Sequence, residues 1–75
     1  MPNPLAALVE ESLRPIIGTV LATVSVDVES RRIGKNPDTI ERADLPVIAG
    51  NLVSALRLIV GKDMAEAAAR KVREL

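Results

Sequence analysis

Apolar positions recur at helical spacing along most of this chain. Leu13, Ile16, Ile17, Val20, Leu21, Val24 and Val28 fall on one stripe when residues are set 100° apart. Within it, residues 19–30 also read as a strand, because Val20, Ala22, Val24, Val26 and Val28 alternate. Leu56, Leu58 and Val60 would be a strand partner. Three signals decide for helix. Asp27 and Arg31 stand at i,i+4, and Glu29 and Arg32 at i,i+3. Arg31 and Arg32 lie where cations favour a helix C-terminus. Gly34 follows directly, as a left-handed helix stop requires. Val26 is the one apolar residue off the stripe.

The punctuation of the other segments points the same way. Asn3 is placed to cap a helix that opens at Pro4, and Glu10 stands four residues before Arg14. Pro15 removes a helical hydrogen bond, so the segment 4–33 is expected to kink or break there, with Gly18 adding slack. A second helix is expected over 45–60, capped by Asp44 and stopped by Gly61. Gly50 inside it would mark a close helix crossing. A third is expected over 64–75, with Asp63 as cap, Glu66 completing a capping box and pairing with Arg70. Its seam is Met64, Ala68, Val72 and Leu75, with Ala65, Ala67 and Ala69 permitting close approach of a neighbour. Between them, residues 35–44 carry turn chemistry at Asn36, Pro37 and Asp38. Ile40 is expected to pin this connector to the core, with a short helical turn after it.

The expectation is therefore a single all-α domain over 1–75, a small bundle of three to four helices. No internal repeat is evident. A histone-like order of short, long and short helices is not expected, since the longest helical segment comes first.

Composition sharpens this picture. The chain has 75 residues, 48% of them hydrophobic and none aromatic. A core of this size leaves only a few kcal/mol of net stability, and aliphatic side chains bury less area than aromatic ones. There are more large aliphatics than one such chain readily hides. Val20, Val24, Val28, Leu52, Leu56 and Ile59 are the residues expected in central packing or at an interface.

Candidate chemistry is sparse. The chain has neither Cys nor His, which removes disulfides and the usual zinc, haem and iron–sulfur ligands. Glu10 and Glu11 are neighbours on a helix, about 100° apart, and do not converge. Ser12, Ser25, Ser30 and Ser54 have no base beside them. The four glycines form no phosphate-binding motif. Asp38, Glu41 and Asp44 are too dispersed for a calcium loop. No enzymatic activity, cofactor or metal is expected.

Ten basic and ten acidic residues give a net charge of zero. Arg31, Arg32 and Lys35 make one local basic patch, and Arg70, Lys71 and Arg73 another. They are the residues a DNA-binding regulator would use. The absence of positive net charge and of stacking aromatics argues against it, and nucleic acid is not the expected partner. The apolar stretch around 15–26 is too short to span a membrane, and the start has no basic leader region. The expected partner is a second copy, as a homodimer, or another protein, in the cytoplasm.

Overall fold

A computed structural model describes residues 3–75. They form four helices: α1, Pro4–Ile17; α2, Thr19–Arg32; α3, Leu45–Val60; and α4, Lys62–Arg73. A single 3-10 turn, Arg42–Asp44, leads into α3. No strand occurs among the described residues, so residues 19–30 are helical.

Local signals set most helix ends. The Asn3 carboxamide oxygen accepts from the Leu5 N–H at 3.1 Å, with Pro4 at the first helical position. At the end of α2, Gly34 has φ 79°. The Lys35 N–H reaches the Ser30 carbonyl at 2.9 Å and the Gly34 N–H that of Arg31 at 3.0 Å. That pair of bonds is a Schellman stop.

The break in the N-terminal segment falls at Gly18, not at Pro15. Pro15 sits in the last turn of α1, and the helix runs two residues beyond it. Gly18 has φ 84° and ψ 166°, a backbone region open only to glycine. It is the sole non-helical residue between α1 and α2. Gly61 makes the same corner between α3 and α4, with φ 89° and ψ 164°. In both, the glycine N–H closes the helix behind it, on Arg14 or Arg57. Its carbonyl opens the helix ahead, accepting from Ala22 or Ala65 at 3.0 Å.

These corners belong to a repeat that the sequence hid. Gly18 and Gly61 stand 43 positions apart, and at that offset six residues are identical, among them Leu13 and Leu56, Arg14 and Arg57, and Ala22 and Ala65. Burial follows the same offset. Ala6, Val9 and Leu13 of α1 are buried, as are Ala49, Leu52 and Leu56 of α3. Ala22, Ser25, Val26 and Glu29 of α2 are buried, as are Ala65, Ala68, Ala69 and Val72 of α4. The fold is one helical hairpin used twice, with the two copies facing each other across a shared core.

The N-terminal segment is two helices of 14 residues, and α3, with 16, is the longest. The expected precedence of a long first helix does not hold. Two caps and one glycine also differ. Asp44 makes no side-chain bond to α3; its carboxylate takes Lys35 Nζ at 2.7 Å and the Glu41 N–H at 2.8 Å. Gly61, not Asp63, precedes α4, and Asp63 lies in its first turn. Gly50 is exposed with open space around it, so it marks no crossing. Ile40 is buried and pins the connector, its carbonyl held by the Asn3 side chain at 2.9 Å.

Candidate interaction surface

Four positions beyond each corner glycine, Ala22 and Ala65 are both fully buried. The helix that follows therefore turns its small residues inward. In α4 this suits the sequence: Ala65, Ala68, Ala69 and Val72 go in, while Asp63, Glu66, Arg70 and Lys71 stay out.

In α2 the same geometry has an unusual result. Ser25, Glu29 and Ser30 are buried, and Val20, Val24 and Val28 face outward at 78%, 48% and 42% exposure. Val26, off the apolar stripe, is the inward valine. The rotation corrects the expected core. Of the six residues chosen for central packing, Leu52 and Leu56 are buried. Val20, Val24, Val28 and Ile59 lie on the surface of the single chain. Hydrophobicity alone predicts that stripe as the core face; the structure instead buries Ala22, Ser25, Val26, Glu29 and Ser30.

Two of the three buried polar side chains of α2, Ser30 and Glu29, are hydrogen-bonded. Ser30 Oγ donates to the carbonyls of Val26 at 2.7 Å and Asp27 at 3.0 Å. Glu29 Oε1 accepts from Arg32 Nε at 3.0 Å. Among the described residues, no fully buried side-chain nitrogen or oxygen is left without a partner.

Beside the valines lies a 420 Å³ cleft between α1, α2 and the connector. Glu10, Asp27 and Asp38 line it, with Val24 on its rim. Glu10 accepts from the Thr23 hydroxyl, and Asp27 pairs with Arg31 at 2.9 Å. The expected Glu10–Arg14 and Glu66–Arg70 pairs are not among the ion pairs of the described residues.

The two basic patches differ. Arg31 is bonded to Asp27, Arg32 to Glu29 and Lys35 to Asp44, so the first patch is neutralised in place. The Lys35 ammonium holds Asp44 below the ordinary carboxylate value, and the Asp44 hydrogen bond raises Lys35 in return. Arg70, Lys71 and Arg73 are exposed on α4.

The second apolar surface is on α3. Val47, Leu58 and Ile59 are 53%, 91% and 64% exposed. The helical run Arg42–Val60 has mean hydropathy 1.5 and, by length and composition alone, could cross a membrane. Among the described residues it is the one helix that meets that measure. To span a bilayer, however, it would have to withdraw Ile48, Ala49, Leu52 and Leu56 from the core.

No known family, curated protein or solved structure is detectably similar to this chain.

Proposed function

We propose that this chain is a small non-enzymatic interaction module that self-associates through an aliphatic helix face. The observation that carries this reading is the outward row Val20, Val24 and Val28. The repeat supplies an internal control for it. The matching positions of α4 are Asp63, Ala67 and Lys71, the composition of a helix that faces water. A helix in the same place, with the same corner and the same small inner face, carries three valines instead.

The strength of such an association can be bounded. Burying the exposed part of each valine contributes about 1 kcal/mol, so six valines across a dimer contribute about 6 kcal/mol. Association itself costs at least about 4 kcal/mol before any gain appears. The valines alone therefore leave about 2 kcal/mol, a Kd of about 30 mM, and a tighter dimer needs neighbouring surface to join the contact.

Light scattering on a sizing column, run as a dilution series, tests this. The mass should rise from one chain toward two as concentration increases. Val20→Lys together with Val28→Lys should hold it at one chain. A wild-type chain that stays monomeric at about 30 mM would overturn the reading.

A further inference from the structure

We infer that the end of the bundle carrying the two corner glycines docks on an anionic lipid surface. Both corners lie at the same end. Asn3, just before α1, is bonded to Ile40, and Arg42, two positions further on, is bonded to Leu75, just beyond α4. α1 therefore starts where α4 finishes. The two helices pack on each other, so they run antiparallel, and the end of α1 at Gly18 lies beside the start of α4 at Gly61. Helices of 14 and 12 residues place this end about 20 Å from the connector.

That end gathers the most exposed aliphatics. Leu58, Val20 and Ile59 are, in that order, the most exposed large apolar side chains among the described residues. All three stand within three positions of Gly18 or Gly61. It also gathers cations. Within four positions of the two glycines the charged residues are Arg14, Arg57 and Lys62 against a single acid, Asp63. All four are exposed, and none of the three cations is in an ion pair of the described residues. The whole chain is neutral, so positive charge accumulates here at the expense of the rest.

Projecting aliphatics ringed by cations match the chemistry of an anionic headgroup layer. The apolar side chains enter toward the acyl chains and the cations meet the lipid phosphates. A nucleic acid would use the cations and leave Leu58 and Ile59 in water. Leu58 is almost wholly exposed, and a fluid layer can close around such a tip with no matching surface required. Docking of this kind keeps every helix in the bundle, so Leu52 and Leu56 stay in the core. It is also independent of self-association, because Leu58 and Ile59 lie on α3, away from the valine row.

Co-sedimentation of the full chain with lipid vesicles tests this. The chain should pellet with phosphatidylcholine vesicles that contain phosphatidylserine and stay in solution with phosphatidylcholine alone. The bound share should fall as salt rises. Leu58→Ser together with Ile59→Ser should weaken binding at least about tenfold. Arg14→Gln together with Arg57→Gln should weaken it about twentyfold, since each cation near an anionic surface contributes about fivefold. Val47→Ser and Arg73→Gln change an exposed valine and an exposed arginine at the connector end, and both should bind as wild type. Circular dichroism on each variant confirms that it remains helical. A wild-type chain that stays in solution with the anionic vesicles would overturn the inference. Losses in Val47→Ser and Arg73→Gln as large as those at the corners would overturn it too, by placing the contact away from this end.

Discussion

Glu29 occupies in the first hairpin the position that Val72 occupies in the second. Both are essentially fully buried. One is a core aliphatic; the other is a carboxylate held by the half-exposed Arg32 at 3.0 Å. The substitution of charge for hydrocarbon at equivalent sites is the sharpest difference between two otherwise matching units, and it makes α2 the less apolar partner in the core.

A buried ion pair often contributes no more than a well-packed apolar residue of similar size, while stripping one partner leaves a charge without compensation. Glu29→Met should therefore leave stability unchanged or raise it by about 1 kcal/mol. Arg32→Ala should lower it by about 1 kcal/mol or more, because Glu29 loses its partner. Urea unfolding midpoints read both. A large loss in Glu29→Met would show that the carboxylate does more than fill the site.

The corner glycines give a contrasting pair of outcomes. Gly18→Ala and Gly61→Ala each place a Cβ in a backbone region that only glycine adopts without strain, and each should cost about 1–3 kcal/mol. Nothing lies within 4 Å of the added carbon at either site, so the loss is backbone strain and not a clash. Gly50→Ala, at an exposed position inside α3, should gain up to about 1 kcal/mol. Thermal melts of the three variants should move in those opposite directions.

Four residues beyond each corner glycine stands a fully buried alanine. Ala22→Leu and Ala65→Leu add bulk inside the core, and each should destabilise by about 1–3 kcal/mol or more. Ala67→Leu, only partly buried on the other side of α4, should be close to neutral. Denaturant titration separates the cases.

The link between Lys35 and Asp44 makes the connector sensitive to pH. The Lys35 hydrogen bond, then the Glu41 N–H, hold the Asp44 carboxyl below its ordinary 3.8. Its contribution is present above 3.8 and fades as pH falls through the lowered value. The Asp44 hydrogen bond, first among the causes, raises Lys35 above 10.5. That contribution is complete below 10.5 and is lost only as pH rises past the raised value. Asp44→Asn should therefore unfold at lower urea than wild type across neutral pH, and the gap should close in acid. A gap that persists well below pH 3.8 would rule out this carboxylate as its source.

The legible parts of this fold were those decided within a turn of chain. Asn3 before Pro4, Gly34 after Arg32, and the pairs Asp27–Arg31 and Glu29–Arg32 are local chemistry, and all appear as read. The helical character of residues 19–30 followed from them. The orientation of α2 was not legible, because it depends on how close Gly18 brings two helices. Hydrophobicity pointed Val24 inward; the corner admitted Ala22 and Ser25. The repeat was hidden for a related reason. Its common feature is the size of inward residues, and Ser25 against Ala68, or Glu29 against Val72, do not resemble each other as letters. The interaction surface was partly visible: its residues were named, but as a mixture of core and surface that only the fold could sort.

The connector holds a last consequence. Asn3 donates to the carbonyl of Ile40, and Arg42 Nη1 donates to the carbonyl of Leu75 at 2.7 Å. Residues from opposite extremes of the described chain are thus tethered within two positions of each other. The path of the backbone is nearly a closed ring, broken beside the segment that joins its halves. Such a ring has no privileged starting point. A chain opened in the connector and joined across its present ends should therefore reach the same helical fold, which circular dichroism would check.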